Sequence, residues 1–121
     1  MTVTPYLLRM AVTAAADTKA TASYTVPRNE KLHIRGLIQM STGAFGIADI
    51  RTTEGHHMTN GSEAEYIHDN FIQAADSDTY GLRDWPIPLD VTGGMTLYID
   101  VKDLSSDTNT IVFMLYGERE F

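Results

Sequence analysis

No cysteine occurs anywhere in the 121 residues, which removes disulfides, thiolate metal sites and cysteine nucleophiles together and leaves the compartment open. Stability must come from packing, and a single domain of this length buries roughly two-thirds of the surface its unfolded chain exposes. Basic residues are scarce: nine Lys and Arg against sixteen Asp and Glu give a net charge of −7. No stretch gathers the cations that a phosphate backbone requires, so nucleic-acid binding is disfavoured. No segment approaches the ~20 apolar residues of a membrane span, and the opening "MTVTPYLLRMAV" has neither the basic n-region nor the long apolar h-region of a secretion signal. The expectation is a protein made and used in solution, with no membrane partner. Internal repeats and low-complexity tracts are missing as well.

What is present favours strands. Thr, Val, Ile, Tyr and Phe are plentiful, and β-branched and aromatic side chains fit a pleated surface. Period-two alternation runs through "LLRMAVTA", "SYTVP", "KLHIRGLIQM" and "AFGIADIRT", then weakly through "EYIHDNFIQ", and again through "WPIPLDV" and "MTLYIDVKD", while "TIVFMLYGE" breaks the pattern as a strand with an unbroken apolar run. In the third of these, Leu32, Ile34, Ile38 and Met40 share a face, with Gly36 marking a close packing point or a bulge. In the fourth, Ile50 falls out of phase with Phe45 and Ile47, and a bulge near Ala48 or Asp49 would repair the register. "AAADTKA" reads as a hairpin connection, and "TGG" at 92–94 as a glycine turn. In "WPIPLDV", Trp85, Ile87, Leu89 and Val91 share one face, and the two prolines point to an edge. About eight short strands without a credible long helix indicate an all-β protein, a β-sandwich or barrel. Residues 1–6, with Thr2, Val3, Thr4 and Pro5, read as an extended N-terminal arm, because they neither start a helix nor alternate.

Signals for chemistry are weak beside their structural readings. His56 and His57 are adjacent, so on a strand they would point to opposite faces. With Asp49, Glu54 and His68 they make no HxH or HExxH spacing, and an exposed polar loop is the simpler reading. "DSDTYG", residues 76 to 81, has two alternating carboxylates but not the third ligand or the distant bidentate Glu of a calcium loop. GxSxG, GxGxxG and GxxxxGK are all absent. No catalytic residue, cofactor or metal is assigned, and the chain is not expected to be an enzyme. Trp85, Tyr80 and Tyr98 could form a sugar-binding platform, although large aromatics more commonly contribute their area to a core. A carbohydrate-binding jelly-roll module, free or associated with a phage tail or fibre, is therefore the alternative reading.

The chain as a whole resembles the small jelly-roll virion proteins of tailed bacteriophages that decorate or cement the capsid. The likeness rests on "YLLRMAV", on "YTVPRNEKLHIRGLIQMSTGAFGIADIRTTEG" with Ser41, Thr42, Gly43, Phe45, Asp49 and Arg51, and on "WPIPLDVTGGMTLYIDVKDLSSDTNTIVFMLYGERE" with Asn109. It implies an antiparallel β-sandwich of jelly-roll-like form over residues 7–121, and a capsid decoration protein on the exterior of the virion, made in the host cytoplasm. It also implies self-association, commonly as a homotrimer, and docking on the major capsid protein of an HK97-type lattice.

Within the chain itself, the run from Ile111 to Tyr116 is apolar on both faces. With Ile111, Phe113 and Leu115 turned to the core, Val112, Met114 and Tyr116 form an exposed row, and natural proteins usually cover such a row with a partner. These three, with Tyr98 on a supposed neighbouring strand, are the candidate self-association surface. Thr2, Val3, Thr4 and Pro5 are the candidate capsid-contacting arm.

Overall fold

The computed structural model describes residues 2–53, 55, 57–59, 66–68 and 87–121. Its strands are β1 (Val3–Ala14), β2 (Lys19–Thr25), β3 (Lys31–Ser41), β4 (Phe45–Thr52), β5 (Ile67–His68), β6 (Leu89–Thr92), β7 (Thr96–Asp103) and β8 (Asn109–Glu120). Among the described residues there is no helix. The strands form two antiparallel sheets, β1-β8-β3-β6 and β2-β7-β4-β5, here called the front and back sheets. Every consecutive link except β4 to β5 crosses from one sheet to the other, and that alternation is the jelly-roll winding of a β-sandwich. The protein is thus an all-β antiparallel sandwich.

Alternation dictates the core. Leu8, Met10, Leu32, Ile34, Ile111, Phe113 and Leu115 turn inward from the front sheet to meet Phe45, Ile47, Leu97, Ile99 and Val101 from the back, all buried. Phe45 and Phe113 meet edge-on across the two layers, with centroids 5.7 Å apart, the arrangement that aromatic quadrupoles favour. In β4 the register shifts between Ile47 and Asp49, so the expected bulge is present and both Ile47 and Ile50 are buried.

Four expectations need correction. "AAADTKA" is not a hairpin connection, because β1 and β2 lie in different sheets and each pairs with another strand. In β3 a register shift between Ile34 and Gly36 leaves Arg35 as the extra residue. A one-residue slip moves every later side chain to the other face, so Leu37 is buried while Ile38 and Met40 are exposed. Gly117 permits this bulge, since a Cβ there would lie 1.9 Å from the His33 carbonyl oxygen. Ile87 is exposed rather than in the core; Trp85 lies outside the described residues.

The fourth correction concerns the arm. Val3, Thr4 and Pro5 belong to β1 and oppose Glu120, Arg119 and Glu118 of β8. Thr2 and Phe121 exchange both backbone hydrogen bonds, at 2.7 and 2.8 Å. The same parity makes Thr4 and Tyr6 ladder-bonded and turns the nitrogens of Val3, Pro5 and Leu7 outward. Pro5 therefore sits on an edge strand where no N–H is needed, the position a sheet allows it. Absence of alternation at the very start of the chain concealed a strand that proline does not interrupt.

Candidate self-association face

The outer surface of the front sheet follows from register. Leu7 of β1 lies opposite Tyr116 of β8, which lies opposite Gly36 of β3; the next rows are Arg9–Met114–Ile38 and Ala11–Val112–Met40. Leu7, Met40 and Ile38 are 66%, 70% and 38% exposed, while Val112, Met114 and Tyr116 are half-buried between them. The structure thus gathers three of the four candidate residues into one face and widens it. It adds Leu7, Ile38 and Met40, which the sequence reading missed. For the last two, the signal was the glycine already suspected of marking a bulge.

Tyr98 does not belong to this face. It lies on β7 in the back sheet, opposite Ser23 and Arg51, and the Arg51 guanidinium carbon stands 4.3 Å from its ring centroid. Adjacency in the sequence pattern misled, because β8 has β1 and β3 as neighbours and not β7. The outer surface of the back sheet is polar and internally bonded. Arg51 Nε donates to Asp100 Oδ2 at 2.8 Å and Thr21 Oγ1 donates to Asp100 Oδ1 at 2.6 Å. Burial pushes the Asp100 carboxyl up, but the Arg51 and Thr21 hydrogen bonds outweigh it and hold the group below its ordinary value. One outer surface consequently carries an apolar stripe, while on the other Thr21, Arg51, Asp100 and Tyr98 are bonded or stacked on one another.

Charged groups frame the apolar rows at one end. Arg35 Nε donates to Glu118 Oε1 at 3.0 Å, and His33 stands between Asp90 and Glu120. A shallow groove lined by Pro5, Tyr6, Leu7, Arg35, Tyr116 and Gly117 separates this frame from the stripe. Among the described residues, the cations on this surface are Arg9, Lys31 and Arg35, and the anions are Asp90, Glu118 and Glu120. They nearly balance, although the whole chain carries −7. Two acidic copies would thus meet here with little charge repulsion.

At the opposite end of the sandwich the resemblance residues do structural work. Asn109 is buried; its Oδ1 accepts the Gly43 N–H at 3.1 Å, and its Nδ2 donates to the Gly43 and Ala44 carbonyls and to Asp103 Oδ1 at 3.0, 2.9 and 3.0 Å. Asp103, equally buried, accepts from the Asp17 N–H at 2.8 Å and the Ser105 N–H at 3.0 Å. Burial alone would push the Asp103 carboxyl up, but hydrogen bonds from Ser105, Asp17 and Asn109 hold it well below the usual carboxylate range. Three loops are thereby tied to one carboxylate–amide pair.

His57 Nδ1 lies 2.5 Å from Asp49 Oδ2, and Thr59 Oγ1 donates to Asp49 Oδ1 at 3.2 Å. Among the described residues no group of three His, Asp or Glu is placed to hold a metal. His56, Glu54, the 76–81 carboxylates, Tyr80 and Trp85 lie outside the described residues. Comparison with protein-family models and with curated proteins finds no match. The geometry of the front sheet therefore carries the functional argument.

Proposed function

We propose that this chain is a structural protein of a tailed-phage virion, of the capsid decoration or cement type. It self-associates, as a homotrimer, through the outer face of the front sheet. It binds the major capsid protein of an HK97-type lattice on the capsid exterior, after synthesis in the host cytoplasm. The observation that carries this reading is the apolar stripe of Leu7, Ile38, Met40, Val112, Met114 and Tyr116. Stripes of this kind on soluble domains mark contact surfaces, and the near-balance of charge around it suits a second copy of an acidic chain. The jelly-roll winding and the resemblance over "STGAF" and "DLSSDTN" support the virion setting. Lattice contacts then fall to surfaces other than the stripe, and the Thr2–Pro5 segment serves as edge of the front sheet rather than as a free arm.

Sedimentation equilibrium at micromolar concentration, followed by incubation with expanded empty capsids, tests the reading. Trimers that co-sediment with capsids are expected, and a stable monomer that ignores capsids would overturn it. For the glycan alternative, the one described aromatic of its platform, Tyr98, already has its face covered by Arg51.

A further inference from the structure

Both ring nitrogens of His33 face a carboxylate. Nδ1 lies 2.6 Å from Asp90 Oδ1, and Nε2 lies 3.1 Å from Glu120 Oε2. A neutral imidazole has one N–H and one lone pair, so it would donate to one of these anions and turn a lone pair on the other; an imidazolium donates to both. The ring bridges three strands. His33 is on β3, Asp90 is its register partner on β6, and Glu120 is on β8, two residues beyond the register partner Glu118.

Its position matters because β6 is short. Leu89–Thr92 pairs with β3 over four residues and forms one edge of the front sheet. Among the described residues, the charged groups that face His33 are Asp90 from β6, Glu118 and Glu120 from β8, and Lys31 and Arg35 from β3 itself. Glu118 is engaged by Arg35 at 3.0 Å, which leaves Asp90 and Glu120 for His33. β1 brings no charge to this row, since the residue opposite Glu118 there is Pro5.

We propose that His33 is a proton-operated latch, which as an imidazolium fastens β6 and the end of β8 to β3 and on losing its proton releases that edge of the front sheet. The inference goes beyond the self-association reading and does not depend on it. The Asp90 hydrogen bond first, then that of Glu120, raise the His33 pKa above its ordinary value, against burial and Lys31. A group raised in the folded state stabilises fully below its unfolded value, ~6.5 for His, and the contribution is lost as pH rises through the folded value. Release on raising the pH is therefore the direction.

Two measurements on the full chain test the latch: an NMR titration of the His33 ring, and hydrogen exchange of the β3–β6 amides corrected for intrinsic rates. The ring should titrate above the ordinary histidine midpoint. Protection of those amides should fall across the same interval, by roughly tenfold for each unit of raised midpoint. His33→Gln should show low protection at every pH, without that step. Should this variant fail to fold, Asp90→Asn removes one anion and should lower the His33 midpoint. A midpoint at or below the ordinary value, protection in the wild type that ignores pH, or a midpoint unmoved in Asp90→Asn would each overturn the proposal.

Discussion

Replacing Asp103 tests whether the loop end of the sandwich hangs on one carboxylate. Asp103 is fully buried and accepts from the backbone of Asp17 and Ser105, the hydroxyl of Ser105 and the amide of Asn109. Hydrogen bonds to a charged group contribute about 1.5–3 kcal/mol each when removed singly, but the donors left behind partly re-pair with water, so they do not sum. Breaking such a buried arrangement from one side costs about 3–5 kcal/mol, against a total stability of about 5–15 kcal/mol. Asp103→Ala should therefore lower the melting temperature by roughly 10–20 °C. Asp103→Asn keeps the size but presents an N–H₂ where only donors converge, at a cost of about 2–4 kcal/mol. The pH dependence separates charge from shape. Because the folded-state value is depressed, the carboxylate stabilises fully above its unfolded value, about 3.9, and that stabilisation is lost as pH falls from there through the folded value. Urea unfolding of wild type and Asp103→Asn should show a wide gap near neutral pH that narrows below about pH 4. A gap under about 0.5 kcal/mol at neutral pH, or one that does not change on acidification, would refute the reasoning.

The two rows of β8 should respond oppositely. Met114→Lys on the outer face should leave monomer stability within about 1 kcal/mol and shift sedimentation to monomer, whereas Phe113→Ala in the core should cost about 3–5 kcal/mol; trimers that persist in Met114→Lys would exclude that face. Gly117→Ala forces a Cβ onto the His33 carbonyl, so a loss of about 3 kcal/mol or more is expected in denaturant unfolding, and a neutral result would mean that the bulge relaxes freely. Deleting residues 1–5 strips Val3, Thr4 and Pro5 of their β8 partners and exposes the inner side of β8. A measurable fall in melting temperature is expected, and an unchanged one would restore the free-arm reading.

Strand existence was legible because alternation survives in segments such as "LLRMAVTA" and "MTLYIDVKD", and because the apolar run "TIVFMLY" is too short and too β-branched and aromatic for a helix. Winding was not, because pairing partners such as β1 and β8 lie at opposite ends of the chain and period two carries no information on which strand lies beside which. That is why Tyr98 was assigned to the wrong surface. The bulge in β4 could be read, since Ile50 out of phase would have left a large apolar residue outside. The bulge in β3 was harder. Leu32, Ile34, Ile38 and Met40 make an acceptable alternation without one, and the room for the slip is supplied by Gly117 on another strand, which the pattern of β3 alone does not reveal. Period two also carried an unread signal at the loop end. Leu97, Ile99 and Val101 turn inward, so the next position in phase is Asp103, and Asn109 precedes Ile111, Phe113 and Leu115 in the same way. A polar residue at an inward phase must be bonded within the fold, and these two are bonded to each other.

The same rule, applied outward, separates the two outer surfaces among the described residues. On the back sheet the outward phase is filled by Thr21, Ser23, Arg51, Tyr98 and Asp100, and several of these are bonded to one another or stacked. Water or a neighbour adds little to groups already satisfied. On the front sheet the outward phase is filled, around Arg9 and Tyr116, by Leu7, Ala11, Ile38, Met40, Val112 and Met114, whose only gain is removal from water, about 25 cal/mol for each Å² covered. The β3 bulge decides this asymmetry. Had Gly36 and Ile38 kept the phase of Leu32 and Ile34, Ile38 and Met40 would face the core, and the stripe would lose one of its three strands. The bulge and Gly117 are therefore as much a part of the proposed contact surface as the side chains displayed on it.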